Sequence, residues 1–147
     1  MKVVAMVQAR ENSTRFPKKV LERIGHYCAI ELLLHRLRLS KAVDQTVVLT
    51  RPRDENKQLA ECVETLGVDV FHGSRLDVFS RYISAAALYE ADLVVRITGD
   101  CPFVCSSVVD RCVSELKLNH ADYCCNVDPP TFPDGLDVEV FKASCLM

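Results

Sequence analysis

Short apolar runs alternate with amphipathic segments along almost the whole chain. The first run, residues 3–9, is almost continuously apolar and rich in valine, which is typical of a strand buried on both faces of a sheet. The same periodicities predict further strands at residues 46–50, 68–71, 92–97, 121–126 and 136–141, and helices at 30–40, 54–66, 74–86 and 108–118. Strands separated by helices predict an α/β fold with a mainly parallel sheet, covered on both sides and joined by right-handed crossovers.

Polar residues near the ends of the helical segments predict where those helices begin and end. Asp54 can cap the second helix, and Gly67 can end it. Ser74, followed by Asp77 three residues later, resembles a capping box that opens the third helix. The apolar residues of that third helix are Val78, Phe79, Tyr82, Ile83 and Ala86.

Composition and charge narrow the classes of protein and partner. Of the 147 residues, 49% are apolar and 26% are charged, as in ordinary globular domains. The formal net charge is −2, so no overall basic field exists to hold nucleic acid, and any polyanion site must be local. No stretch approaches the roughly 20 apolar residues of a membrane span, and the N-terminus has no signal-peptide layout. We therefore expect a cytoplasmic protein that has no nucleic-acid or membrane partner.

The chain contains eight cysteines but no C-x-x-C pair. Four of them lie in helix-like segments, at Cys28, Cys62, Cys112 and Cys145. In a reducing compartment, free cysteine packs as a small buried hydrophobic residue. This interpretation is favoured over a disulfide framework or a zinc site.

A basic, hydroxyl-rich segment directly follows the first predicted strand. Its charged and hydroxyl side chains include Arg10, Ser13, Thr14, Arg15 and Lys19, which can neutralise phosphates and donate hydrogen bonds to them. If the strands lie in the order 3-2-1-4, this segment faces Asp100, at the exit of the fourth strand, across one crevice. A carboxylate there suits Mg²⁺, which binds one or two carboxylates together with substrate phosphates. The two loops together predict phosphoryl or nucleotidyl transfer, although a single basic residue in such a loop usually belongs to a solvated turn.

Two common phosphate-binding patterns are missing from the sequence. It contains neither G-x-x-x-x-G-K-[ST] nor G-x-G-x-x-G after the first strand. A P-loop kinase or GTPase and a dinucleotide-binding site of the G-x-G-x-x-G type are therefore disfavoured.

Several segments resemble the signatures of one known family. Residues 8–21, which contain Gln-Ala-Arg and then Ser-Thr-Arg-Phe-Pro-Lys-Lys-Val-Leu, are similar to the nucleotide-binding signature of the CMP-sugar synthetases. These are the cytidylyltransferases for acylneuraminate and 3-deoxy-manno-octulosonate. Residues 96–102, 73–82 and 134–141 also resemble that group, and the resemblance is closest to the spore coat polysaccharide biosynthesis protein F type. The resemblance covers almost the whole chain.

This resemblance implies a fold, an activity and a set of site residues. The fold is a Rossmann-like nucleotidyltransferase three-layer sandwich, and the activity is transfer of CMP from CTP to an acidic sugar with Mg²⁺ and release of pyrophosphate, in surface or spore-coat polysaccharide biosynthesis. The implied nucleotide-binding residues are Gln8, Ala9, Arg10, Ser13, Thr14, Arg15, Lys19, Gly73, Asp77 and Gly99. Arg15, Lys19 and Asp100 are the implied catalytic residues, and Asp100 the implied metal ligand.

Three further residues are implied on the substrate side. Arg96, Asp137 and Glu139 are the expected contacts with the sugar. Arg96 is equally compatible with a role as a partner of Asp100 or with a structural ion pair. Asp137 and Glu139 are equally compatible with solvent-facing positions on a strand.

Members of this family run well past residue 147, and their C-terminal part supplies a second metal-binding carboxylate and dimer contacts. The chain ends where residues 142–144 begin another helical pattern. We therefore expect residues 1–147 to form one nucleotidyltransferase domain that lacks its C-terminal part, with a homodimer left open. Two alternative functions remain: a truncated nucleotide-binding module with little activity of its own, and a nucleotidyltransferase acting on a sugar phosphate.

Overall fold

The computed structural model describes residues 1–146, so Met147, the last residue of the predicted domain, lies outside the described residues. The strands are β1 (Val3–Gln8), β2 (Arg23–Ile24), β3 (Tyr27–Cys28), β4 (Gln45–Thr50), β5 (Asp69–His72), β6 (Leu93–Thr98), β7 (Tyr123–Cys125) and β8 (Glu139–Lys142). The short strands β2 and β3 form an antiparallel hairpin, and the other six strands form one sheet in the order β5-β4-β1-β6-β8-β7.

The sheet is parallel where helices join consecutive strands. β5, β4, β1 and β6 pair in parallel, so the condition set out above, a 3-2-1-4 order, is met and β1 lies between β4 and β6. β8 is antiparallel to both of its neighbours and lies between β6 and β7. The sheet is therefore mixed, with β1 at its centre.

Helices cover both faces of the sheet. They are α1 (Ala29–Leu37), α2 (Lys57–Thr65), α3 (Val78–Leu88) and α4 (Ser106–Leu118). Alternate residues of β1 face opposite layers: Val3, Ala5 and Val7 pack with α1, α2 and α4, whereas Val4 and Met6 pack with α3. This arrangement confirms the predicted three-layer α/β sandwich and explains why β1 is apolar on both faces.

Two predicted helix starts are wrong. Asp54 lies in a separate 3₁₀ turn, Arg53–Glu55, and α2 begins only at Lys57. Asp77, not Ser74, caps α3, because its carboxylate accepts a hydrogen bond from the backbone N–H of Ser80 at 2.9 Å. The hydroxyl of Ser74 accepts from the N–H of Asp77 at 3.1 Å, so Ser74 shapes the turn before the helix.

The buried face of α3 differs from its apolar pattern. The helix buries Tyr82, Ala86 and the cationic Arg81, which is only 4% exposed. Phe79 is 58% exposed and Ile83 is 37% exposed.

All eight cysteines are free thiols.

Within residues 1–146, no helix is both long and apolar enough to cross a membrane.

Candidate functional site

A cavity of about 800 Å³ opens at the carboxyl ends of β1, β4 and β6. It lies where the loops that follow these neighbouring parallel strands meet the N-terminal end of α3. Six cationic side chains contribute to its lining: Arg10, Arg15, Lys19, Arg51, Arg75 and Arg81. Three carboxylates face them: Asp100, Asp134 and Asp137. The cavity has the charge and size of a site for a small polyanion.

The loop after β1, residues 9–19, is held against α2 by a buried acidic residue. Glu11 is 6% exposed, and its Oε1 accepts a hydrogen bond at 2.8 Å from the backbone N–H of Leu59 in the first turn of α2. The backbone N–H of Glu11 donates to Oδ1 of Asn56 at 2.9 Å, and its carbonyl accepts from the N–H of Lys18 at 2.7 Å. Glu11 thus supplies the helix cap that Asp54 was predicted to supply.

Lys19 and Asp100 bring the loop after β1 and the loop after β6 together. Nζ of Lys19 lies 3.0 Å from Oδ2 of Asp100. Burial raises the pKa of Asp100, but hydrogen bonds from Thr98 and Lys19 and the charge of Lys19 outweigh burial and leave that pKa below its ordinary value. Asp100 is therefore ionised in the free protein at neutral pH.

Gly99 allows these two loops to approach each other. A Cβ atom at this position would lie 2.8 Å from Cβ of Ala9 and 3.1 Å from the carbonyl oxygen of Gln8. The backbone N–H of Gly99 donates to that same carbonyl at 2.8 Å, which extends the pairing of β1 and β6 past their ends. A side chain at position 99 would push the loop that carries Asp100 away from the loop that carries Lys19.

Three arginines of the cavity were not predicted from the sequence: Arg51, Arg75 and Arg81. Arg51 and Arg75 share Glu55 as an ion-pair partner. Arg81 is almost fully buried, and no carboxylate within residues 1–146 forms a salt bridge with it. Burial, and then the nearby charges of Arg51 and Arg10, lower the pKa of Arg81. A buried cation surrounded by other cations is stabilised by a bound anion.

Gly73 and Asp77, predicted to bind nucleotide, do not line the cavity. Asp77 caps α3, as described above. A Cβ atom on Gly73 would lie 2.5 Å from Cγ of Arg81, so Gly73 leaves room for that side chain. Both residues therefore position α3 and Arg81, which do border the cavity.

Of the residues predicted to contact a sugar, only Asp137 lines the cavity. Arg96 forms an ion pair with Glu139, its register partner on β8, and not with Asp100. The hydroxyl of Tyr123 donates to Oε1 of Glu139 at 2.7 Å. The structure therefore selects the structural ion pair from the two roles predicted for Arg96.

The remaining predicted residues lie in the cavity. Gln8, Ala9, Ser13, Thr14 and Gly99 line it together with the basic side chains. Their position at the ends of β1 and β6 agrees with the crevice predicted from the strand order.

Comparison with known proteins identifies relatives that align with almost the whole chain. A family model described as cytidylyltransferase matches residues 4–146. An uncharacterized protein of Methanocaldococcus jannaschii is 39% identical over 146 residues, covering 99% of this chain and 59% of that protein. The spore coat polysaccharide biosynthesis protein SpsF of Bacillus subtilis is 31% identical over 150 aligned residues, covering 99% of this chain and 61% of that protein. The chain spans about three fifths of the length of these relatives.

Solved structures show the same fold. A cytidylyltransferase from Leptospira borgpetersenii superposes with a TM-score of 0.94 at 37% identity, covering 99% of this chain and 62% of the other. CMP:2-keto-3-deoxy-manno-octonic acid synthetase, solved in complex with CTP, superposes with a TM-score of 0.80 at 16% identity, covering 99% of this chain and 76% of the other. At that identity the second likeness shows a shared fold.

Proposed function

The chain belongs to the cytidylyltransferase family, and from that premise we propose that it binds CTP in the cavity and transfers CMP to a small acidic sugar with release of pyrophosphate. The observation that carries this proposal is the gathering of six cationic side chains in one cavity of a protein whose net charge is −2. Such a local concentration of positive charge favours a polyanion over a neutral ligand.

The names of two similar proteins support the choice of substrates. The synthetase of the same fold was solved with CTP and is named for an acidic sugar. The relative SpsF is named for spore coat polysaccharide biosynthesis. These names support CTP and an acidic sugar as the substrates and a role in surface polysaccharide biosynthesis.

The loop after β1 is suited to hold the triphosphate. Arg10, Arg15 and Lys19 can neutralise its phosphates, while the hydroxyls of Ser13 and Thr14 add hydrogen-bond donors. In the reaction, a hydroxyl oxygen of the sugar loses its proton to solvent and forms a bond to the α-phosphorus, and the bond from that phosphorus to the oxygen bridging to the β-phosphate breaks. Pyrophosphate leaves with the electron pair of the broken bond. Arg15 and Lys19 stabilise the charge that develops on it.

Asp100 has the chemistry of a ligand for Mg²⁺. It is an ionised carboxylate that lies beside the basic loop, and Mg²⁺ binds one or two carboxylates together with phosphate oxygens. When bound, the ion would screen the phosphate charges. Asp134 and Asp137 line the same cavity, and we propose that Asp137 faces the sugar.

Removing positive charge from the loop tests the proposal. We expect Arg15→Ala and Lys19→Ala each to weaken CTP binding in the presence of Mg²⁺ by about 1.5–3 kcal/mol, because each loses a charge-assisted hydrogen bond. Isothermal titration calorimetry measures this loss. Arg111→Ala, an exposed arginine on α4 outside the cavity, is the matched control and should leave the affinity unchanged. Unchanged affinity in both loop variants would show that the loop is only a turn.

Turnover separates the proposed enzyme from its alternatives. A pyrophosphate-release assay with CTP and a panel of acidic sugars measures the activity itself. CTP binding without pyrophosphate release would indicate a nucleotide-binding module. Release only with sugar phosphates would indicate a different acceptor class.

A further inference from the structure

Two cysteine side chains from different elements touch on the side of the sheet covered by α1, α2 and α4. Sγ of Cys28, at the end of β3, lies 3.7 Å from Sγ of Cys62 on α2. Glu31, in the first turn of α1, places a carboxylate oxygen beside them, so that one ligand atom of each residue lies within 4.8 Å of the other two. None of the three residues lines the cavity.

We propose that Cys28, Cys62 and Glu31 form a zinc-binding site separate from the nucleotide cavity. Zinc bound by two thiolates at about 2.3 Å with a tetrahedral angle places the two sulfur atoms about 3.8 Å apart. The observed separation of 3.7 Å matches this value. A disulfide would instead require the sulfur atoms to approach to about 2.05 Å.

The carboxylate of Glu31 is already oriented toward this position. Its Oε2 accepts a hydrogen bond at 2.7 Å from the backbone N–H of Cys28, which fixes the side chain in the capping box of α1. The other carboxylate oxygen remains to bind the ion. A hydrogen bond that orients a ligand in this way is common around metal ions. Water completes the fourth position, as in zinc sites with three protein ligands.

The charge balance fits this location. Zn²⁺ with two thiolates and one carboxylate carries a net charge of about −1, and a negative group is favoured at the N-terminus of α1. Without an ion, both cysteines are free thiols. Zinc binding therefore releases one proton from each thiol and forms two zinc–sulfur bonds.

The site would join two helices behind the nucleotide loop. Cys28 is the N-cap residue of α1, Glu31 lies in the first turn of that helix, and Cys62 belongs to α2. The first turn of α2 is in turn capped by Glu11 of the loop after β1. A zinc ion here would stabilise the framework on which that loop is held, without contact with the nucleotide.

Metal binding by the full chain tests this site directly. Purified protein is stripped with a chelator under reducing conditions and then titrated with ZnCl₂, and separately with CoCl₂ as a spectroscopic probe. We expect one zinc ion per chain by elemental analysis. With cobalt we expect sulfur-to-cobalt charge-transfer absorption and the visible bands of tetrahedral coordination. Zinc should also raise the midpoint of thermal unfolding.

Variants assign the ligands. Cys28→Ser and Cys62→Ser should lose the charge-transfer absorption, and Glu31→Gln, which keeps the capping oxygen, should weaken zinc binding about tenfold or more. Cys112→Ser is the matched control, because Cys112 is 6% exposed and Cys28 is 7% exposed. It should bind zinc like the unmodified chain.

The proposal is overturned if the folded, reduced chain binds no zinc, or if Cys112→Ser loses the ion while Cys62→Ser keeps it. If a cysteine variant fails to fold, Glu31→Gln still tests the assignment, and unchanged zinc affinity in that variant would overturn the proposed ligand set.

Discussion

Lys19 and Asp100 form a salt bridge between the loop after β1 and the loop after β6, with Nζ and Oδ2 3.0 Å apart. The lowered pKa of Asp100 means that their pairing adds stability above the ordinary carboxyl pKa of 3.8, and that this stability is lost as the pH falls through the lowered value. We expect Lys19→Met to raise the pKa of Asp100, because it removes both a hydrogen bond and a positive charge. NMR titration of the carboxyl carbon measures the change, and Arg111→Met should leave it unchanged. A pKa of Asp100 that does not respond to Lys19→Met would contradict the observed pairing.

Lys18, one residue earlier, has a left-handed backbone, with φ of 57°. This conformation is strained for a residue with a Cβ atom and unstrained for glycine, and the strain is largest for a β-branched residue. We expect Lys18→Gly to leave stability nearly unchanged and Lys18→Val to lower the free energy of unfolding by about 1–2 kcal/mol. Urea denaturation measures both. The side chain of Lys18 donates to Oε1 of Gln58 at 2.8 Å, so Gln58→Ala reports the loss of that contact alone.

The arginines of the cavity show what the sequence could and could not predict at the residue scale. Arg10, Arg15 and Lys19 were predicted because they crowd one segment after a strand. Arg51 carried a weaker signal of the same kind, since it directly follows β4. Arg81 lies in the segment 73–82 that resembles the family, but no role was predicted for it, because an arginine on a helix is usually solvated and its burial depends on the space left at Gly73.

At the scale of elements, Glu11 connects the loop after β1 to α2. Glu11→Ala removes the acceptor for the N–H of Leu59, and we expect it to lower the free energy of unfolding by about 1–3 kcal/mol. We also expect weaker CTP binding, because the loop would no longer be held in place. Denaturant unfolding and calorimetry measure the two effects.

Two further variants distinguish the effect of the capping hydrogen bond from the effect of removing a carboxylate charge. Glu11→Gln keeps an oxygen acceptor and should retain most of the stability. Glu61→Ala removes an exposed carboxylate from the same helix and should change stability by no more than about 0.5 kcal/mol. Equal stability of Glu11→Ala and Glu61→Ala would exclude a capping role for Glu11.

The capping of α2 also shows why helix starts were harder to predict than helices. The amphipathic patterns placed α1, α2 and α4 well, since each pattern is local. The cap of α2 comes from Glu11, 48 residues before Leu59, and no local pattern reveals such a partner. The same limit applies to Arg96, whose partner Glu139 lies 43 residues away on a strand that pairs antiparallel.

At the scale of the whole molecule, we expect binding of CTP to increase the free energy of unfolding. A ligand that binds only the folded chain adds about 2.7 kcal/mol when its concentration is 100 times its Kd. We expect CTP with Mg²⁺ to raise the unfolding midpoint, because the cations that crowd the cavity gain counter-charges. Thermal unfolding with and without the ligand measures the shift. At the same CTP concentration Arg15→Ala should show a smaller shift, and an absence of any shift with saturating CTP and Mg²⁺ would contradict the proposed site.

The parallel half of the sheet was predictable because crossover helices leave few choices. Helices between β1, β4, β5 and β6 favour parallel pairing with right-handed connections, and the order that places β1 beside β6 is one of the few that remain. No helix separates β7 from β8, so the long connection allowed either direction for β8. The antiparallel pairing of β8 with β6 and β7 could therefore not be predicted from the alternation of strands and helices alone.

If CTP and Mg²⁺ bind as proposed, the ion pair of Lys19 and Asp100 would make their binding cooperative. In the free protein the ammonium group of Lys19 and the carboxylate of Asp100 neutralise each other. A metal ion alone would therefore compete with Lys19 for the carboxylate, and a triphosphate alone would compete with Asp100 for the ammonium group. Binding of either proposed ligand would break the pair and leave the opposite charge available to the second. Because such coupling is reciprocal, each ligand lowers the apparent Kd of the other by the same factor. Under the proposed function, the free protein would therefore favour binding of the nucleotide together with its cation.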